Sequence, residues 1–435
     1  MRHHPIRLVL TSLVVVFAAA ASAQTIDYWL WDSNQQPAYE ACAAAFTEQN
    51  PGITVRITQQ GWGDYWTAVT TGLIAGTAPD VFTNHLAYYP QFAENEQILD
   101  LAPLIERDGV PTDIYIGELV ELWGRDGAQY GLPKDWDTVA IIYNKEMVEA
   151  AGISEEEMNS LTWNPQDGGT FQEVAARLTR DRNGNDGLSP DFDRNNVVRY
   201  GYANGVSAFG QTEWSHFAAS NGWRFNDGLY ATEYYFDDPR LAETIQWLAD
   251  LSLEKGYAAR YSDVASLGAE SLFAAGQAAM TINGSWMIGW FINNAPFEVG
   301  FARLPIGPEG RKSMFNGLAD AIYVGSRNQE AAWEWVKFMA SPECQTIVGS
   351  YGVVFPAIQA GVDAAIEAYE ARGVDVSAFT LQALEEDGTF LFPITDHGSE
   401  VTSIMQNALE SIFLGQRDAA SALEQANREV NALFR

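Results

Sequence analysis

Residues Tyr130 to Met147 read YGLPKDWDTVAIIYNKEM. Thr138 to Asn144 is a wholly uncharged run rich in β-branched and aromatic residues, the pattern of a strand buried on both faces. Just before it stand Lys134, Asp135, Trp136 and Asp137, with Pro133 at the entry, and a helical pattern begins near Lys145. A cation, two carboxylates and an indole therefore sit where a connecting segment feeds a buried strand. Such groups are costly to bury alone, so they require partners or a ligand.

Outward from this stretch, strand and helix signals alternate. Ile26 to Trp31 is an apolar strand, and Pro37 suits the start of a helix with Ala38, Cys42, Ala45 and Phe46 on one face. Asn50-Pro51-Gly52 stops it, and Ile53, Val55 and Ile57 alternate as a second strand. Asp64 is placed to cap a helix carrying Trp66, Val69 and Leu73, closed by Gly76, before a strand entry at Pro79. This βαβα rhythm predicts a mostly parallel α/β lobe. Helices dominate later: one after Asp238-Pro239, one through Ala332, Val336 and Met339, and two at the end, Val401 to Leu414 and Asp418 to Phe434.

The first 23 residues read as a cleaved leader. Arg2 and Arg7 precede an apolar core, Leu8 to Ala20, and Ala21-Ser22-Ala23 forms a cleavage site. The apolar core is shorter than the roughly 20 residues that span a bilayer, and no cysteine follows the site to carry a lipid. A periplasmic or extracellular, unanchored chain is expected. Without the leader's two arginines, 23 of the 25 basic residues face 57 acidic ones, a net −34. Such a chain repels nucleic acid and anionic membrane surfaces, and its acidity favours a soluble monomer. Roughly 410 residues remain, more than one ordinary core, so two lobes are expected.

Catalytic signatures are missing: there is no HExxH, GxSxG or GxGxxG, and GPEGRKS (Gly307 to Ser313) fails the phosphate-loop spacing. Asp181, Asn183 and Asn185, with Asp191 and Asp193 beyond, match the first half of a calcium loop, yet Asp186 and Phe192 replace the Gly and Glu that motif needs. A structural calcium and a self-bonded Asx-turn loop both explain the pattern; no other cofactor is expected. Cys42 and Cys344 are the only cysteines, and a disulfide and two buried thiols are equally compatible with their spacing. Trp31, Trp62, Trp66, Trp136, Trp163, Trp214, Trp223 and Trp286 all neighbour Gly, Asn, Asp or turn residues. Any one of them is explained by core packing. As a set beside carboxylates they point to a carbohydrate cleft, where rings stack on sugar C–H faces and polar neighbours bond the hydroxyls.

Several segments together resemble the family 1 extracellular solute-binding proteins of bacterial ABC importers, the maltose-binding-like group. They are FTEQNPGITVRI, GLIAGTAPDVF, YGLPKDWDTVAIIYNKEM, LTWNPQDGGTF, FAAGQAAMTINGSWMIGW, AAWEWVKFMASPECQ and YGVVFPAI, in family order through nearly the whole chain. The resemblance implies a two-lobed periplasmic-binding-protein fold of type II, with mostly parallel sheets flanked by helices and a ligand cleft between the lobes. It places residues 24–134 and 320–357 in the N-lobe and 135–319 and 358–435 in the C-lobe, with crossings near 134–138, 315–321 and 355–360. Both cysteines then fall in the N-lobe, which implies a Cys42–Cys344 disulfide. The implied ligand groups are Trp31 and Asp32 after the first strand, Asp64 and Trp66, Asn84 and His85, Lys134, Asp135 and Trp136 at the first crossing, and Asp320 at the second. Trp286 in NGSW resembles the family's sugar-stacking tryptophan. Trp214 aligns more loosely, and Trp223 stands where a second Gly is common. The implied function is capture of a neutral sugar or oligosaccharide for a membrane permease, without catalysis. A secreted glycoside hydrolase and a binder of a glycerol phosphodiester are the rival readings.

Overall fold

The computed structural model describes residues 24–208 and 210–435; the expected leader, 1–23, lies outside them. Two sheets organise the chain. In the first, β1 (Gln24–Leu30) pairs in parallel with β2 (Ile53–Gln59) on one side and β3 (Val81–His85) on the other. Alternation buries Ile26, Tyr28 and Leu30 of β1 on one face. The helix Gln36–Gln49, with Pro in its first turn, packs Ala38, Tyr39, Cys42 and Phe46 into the same core. A second helix, Trp62–Ala75, ends at Gly76, whose φ of 75° is left-handed.

A small hairpin, β4 (Gly124–Arg125) and β5 (Ala128–Gln129), precedes the hinge region. There, β6 (Pro133–Asp137) belongs to the first sheet and β7 (Val139–Asn144) to the second, with Thr138 alone between them. Every residue of both strands is buried. The polar stretch Lys134 to Asp137 is therefore itself a strand, not a connecting segment. The second sheet adds β8 (Arg180–Asp181), β9 (Val197–Ala203), β10 (Ala278–Gly284) and β11 (Val299–Ala302), in the order β11-β7-β10-β9-β8. The chain returns through β12 (Ser313–Ile322), which lies antiparallel between β3 and β6; β13 (Phe355–Pro356) closes the edge beside β6, and β14 (Thr389–Leu391) pairs with the start of β12.

The sheets are mixed rather than mostly parallel. Parallel pairing holds where the βαβ rhythm runs, at β1 with β2 and β3 and at β9 with β10. β12 enters the first sheet from the second lobe, so it runs against both neighbours there.

Two large apolar cores correspond to the lobes. Tyr28, Phe46, Trp333, Trp335 and Phe355 belong to one; Ile141, Trp163, Phe171, Trp247 and Leu409 to the other. Packing in the first core continues past residue 360: Val362, Ala365 and Tyr369 of the helix Gln359–Glu370, with Phe379 and Ile394 beyond it, belong to that core, whereas Phe392 and Val401 pack in the second. The cause is close packing against the helix Pro342–Tyr351, where a Cβ on Gly349 would fall 2.2 Å from the Gly361 carbonyl oxygen. Cys42 and Cys344 are joined by a disulfide, with Cα atoms 5.3 Å apart, which ties the helix Gln36–Gln49 to Pro342–Tyr351 within that lobe.

Candidate ligand cleft

Strand register builds the floor of the cleft. β6 and β12 pair Asp137 with Asn316 and Asp135 with Leu318. Asp135 and Asp137 are two residues apart, so they share a face, while Lys134 points the other way. The Leu318 amide donates to Asp135 Oδ1 at 2.9 Å, and Gln211 Nε2 donates to Asp137 Oδ1 at 3.1 Å. The second oxygen of Asp135 is buried without a hydrogen-bond partner among the described residues. Trp136 is clamped between Phe315 and Phe355, with centroids 5.8 and 4.9 Å away and rings nearly parallel. Its faces are occupied, so it walls the cleft without being free to stack on a ligand.

Above this floor lies a cavity of ≈ 400 Å³ lined from both lobes. Trp31, Asp32, Trp62 and His85 come from the first lobe; Gln211, Glu213, Trp286 and Met287 come from the second. Trp31 sits at the centre of an aromatic cluster, edge-on to Trp62 at 5.0 Å and beside Trp66 at 5.4 Å. Trp62 remains 41% exposed, so it has ring surface to offer. Trp286 is placed by Gly284 at the end of β10: a Cβ there would meet its ring at 1.9 Å. Asp32 accepts from the Asn34 amide at 2.7 Å and from Gln35 Nε2 at 2.9 Å.

Burial governs the ionisation of these groups. It raises the Asp135 pKa to about 7, against the opposing pull of Lys134 and the Leu318 amide. It raises Glu213 to about 7, lifts Asp137 well above the ordinary carboxylate range with help from the Asp135 charge, and raises Asp32. His85 is pushed down to about 3 by burial and stays neutral. The Ala87 amide donates to its Nδ1 at 3.0 Å, so the ring proton belongs on Nε2, 2.9 Å from the Asn316 amide. Asn316 must then offer its carbonyl oxygen to the ring, which leaves its NH₂ for other partners.

Several expected ligand groups lie elsewhere. Lys134 Nζ donates to Tyr28 Oη at 3.0 Å, Thr83 Oγ1 at 2.8 Å and Asp320 Oδ1 at 2.8 Å. Tyr39 covers it, with the ring centroid at 4.6 Å. Lys134 and Asp320 are thus a buried ion pair beneath the cleft, because strand alternation turns both inward. Trp66 stacks on Tyr88 at 3.8 Å and supports Trp31 and Trp62 from behind. Asn84 is fully buried and its Oδ1 accepts from the His85 amide. Asp64 is exposed in the first turn of its helix, away from the cavity and capping nothing. Trp214 and Trp223 are core residues 5.5 Å apart, their indole N–H groups donating to the Ser207 and Tyr235 carbonyls. The neighbour Glu213 faces the cavity instead.

Sequence reasoning passed over Gln211, Glu213 and Asn316, and left Asp137 and Trp62 out of the implied ligand set. Asp137 was detectable as the i+2 partner of Asp135. Gln211 and Glu213 lie on an irregular segment with no pattern to read.

In the Asp181 loop, one carboxylate accepts from the amides of Asn183, Asn185 and Asp193 and from Asn185 Nδ2. The loop is held by its own Asx turns. Among the described residues no group of three or more His, Cys, Asp or Glu side chains is arranged to hold a metal ion. No helix among them is long and apolar enough to cross a membrane.

The chain is similar over its whole length to known binding proteins. A putative binding protein of Brucella abortus is 25% identical over 431 residues, covering 97% of this chain and 96% of that one. A maltotriose-binding protein of Pyrococcus abyssi is 24% identical over 341 residues, covering 75% and 64%. Among solved structures, UspC of M. tuberculosis superposes with a TM-score of 0.73 at 27% identity, covering 94% of this chain and 99% of that one. An ABC substrate-binding protein of Listeria monocytogenes in complex with cycloalternan superposes with a TM-score of 0.81 at 22% identity, covering 95% and 99%, and shares the fold. With the model of that family matching residues 41–373, the chain belongs to the bacterial extracellular solute-binding proteins.

Proposed function

We propose that this chain is the extracytoplasmic binding component of an ABC importer, that it captures a saccharide without anionic groups, and that it releases the ligand unaltered to a membrane permease. The observation that carries this reading is the cavity itself, which meets tryptophan faces and hydrogen-bonding carboxylates from both lobes at once. Rings cover the C–H faces of a sugar while carboxylates and amides take its hydroxyl protons in charge-assisted bonds. Because the ligand would touch both lobes, binding favours their approach. Relatives support the sugar class: they include proteins described as binding lactose, maltotriose and galactooligosaccharide.

A structural neighbour from Mycobacterium tuberculosis holds glycerophosphocholine at 19% identity. Among the described residues no Lys or Arg lines the cavity, so a phosphodiester would face carboxylates without a counter-charge. The test is a thermal-shift screen over mono- and oligosaccharides, followed by calorimetry and chromatography of the recovered ligand. A true ligand raises the unfolding temperature and is recovered intact. Stabilisation by glycerophosphodiesters alone, or cleavage of the sugar, sinks the proposal.

A further inference from the structure

Within the saccharide reading, on which this inference rests, the cleft is unusually one-sided in charge. Asp32, Asp135, Asp137 and Glu213 line it, and among the described residues no lysine or arginine does. The nearest cation, Lys134, is turned away and spent on Asp320. A neutral sugar would leave these carboxylates without a counter-charge. Asp135 sharpens the point. It is only 3% exposed, one oxygen is bonded to the Leu318 amide, and the other has no partner among the described residues.

We propose that the cleft selects saccharides bearing a protonated amino group, seated against the carboxylates of Asp135 and Asp137 on the β6 floor. An ammonium offers three donors and no acceptor, so it satisfies the unpaired Asp135 oxygen and supplies the missing positive charge together. A hydroxyl does only the first. Tryptophan faces on the walls add favourable interaction with a cation. The raised pKa values of Asp135, Asp137 and Glu213 agree with a cleft short of positive charge until a ligand brings it.

Matched ligand sets test this: glucose, glucosamine and N-acetylglucosamine, their galactose counterparts, and short linear oligomers of each, titrated calorimetrically at neutral pH. The free amine of at least one set is expected to bind about tenfold or more tighter than its hydroxyl and N-acetyl partners. Asp135→Asn and Asp137→Asn, each confirmed folded by its thermal transition, are expected to bring the ratio of amine to hydroxyl affinity close to one. Two separate variants guard against one failing to fold. Equal or tighter binding of the hydroxyl or N-acetyl member in every set overturns the charge selectivity and leaves saccharide binding standing. An amine preference that survives in both variants overturns the assignment to these carboxylates. No binding in any set overturns this inference and the saccharide reading together.

Discussion

Lys134 and Asp135 are chain neighbours with opposite surroundings: one is locked to Asp320, Tyr28 and Thr83, while the other lines the cavity and buries one oxygen that has no partner among the described residues. Lys134→Met leaves the Asp320 carboxylate buried without its cation. Removing one partner of a buried pair typically costs about 3–5 kcal/mol, so urea denaturation of this variant should show a loss of that order. A double change, Lys134→Met with Asp320→Leu, should recover much of it. A variant as stable as the parent would show that the pair is not what fills this pocket. Asp135 gives a different signature. Burial raises its folded pKa to about 7, with Asp320 and Asp32 adding and Lys134 opposing. Its unfolded value is about 4, so between about pH 4 and pH 7 the folded chain binds more protons than the unfolded one. Unfolding free energy from this group therefore falls as pH rises through that window, and Glu213 and Asp137 act in the same direction. Thermal melts of ligand-free protein should show the decline, and Asp135→Asn should flatten it. An unchanged slope would mean that Asp135 is already ionised at acid pH.

Single strands decide how these residues are presented. β6 was legible as a knot of polar groups before a buried run, but not as a strand, because alternation of Lys, Asp, Trp and Asp mimics a loop until its partners are known. β10 was legible as the entry to NGSW, and Trp286 indeed reaches the cavity. The geometry that frees it is the bare Cα of Gly284. Trp286→Ala should weaken saccharide binding by about 2 kcal/mol, the scale of a buried aromatic anchor, with little change in thermal stability. Gly284→Ala should reproduce most of that loss while the tryptophan is still present, since the new methyl occupies the ring's position. Calorimetry on both variants checks this; undiminished affinity in Gly284→Ala would show that the ring's placement is irrelevant to binding.

Across the molecule, the two-lobed plan and the pairing of Cys42 with Cys344 followed from segments strung through the whole chain. The site followed only in part. Residues on a regular strand or just past its end, such as Asp135, Trp31, Asp32 and Trp286, could be placed in the cavity. Trp214 could not be separated from Glu213, since a one-residue offset on an irregular segment exchanges core for cleft. The packing of residues 362–379 on the first core was hidden for a similar reason: helix-to-helix packing at Gly349 and Gly361 leaves no local mark. Opening the disulfide by Cys42→Ala with Cys344→Ala should cost about 2–5 kcal/mol of stability, measured by denaturant titration. A smaller cost would mean that the apolar contacts of the Gln36–Gln49 and Pro342–Tyr351 helices already hold this lobe.

That bridge spans 302 positions, and this has a consequence for timing. A chain emerging amino-terminus first presents Cys42 at once, yet its partner arrives only after all of the second sheet has appeared. Until then Cys42 is an idle thiol on an early helix, open to capture by any other oxidised sulfur. The link between Cys42 and Cys344 thus works as a late seal, closed only after β12 has been made and the chain has come back to the first sheet.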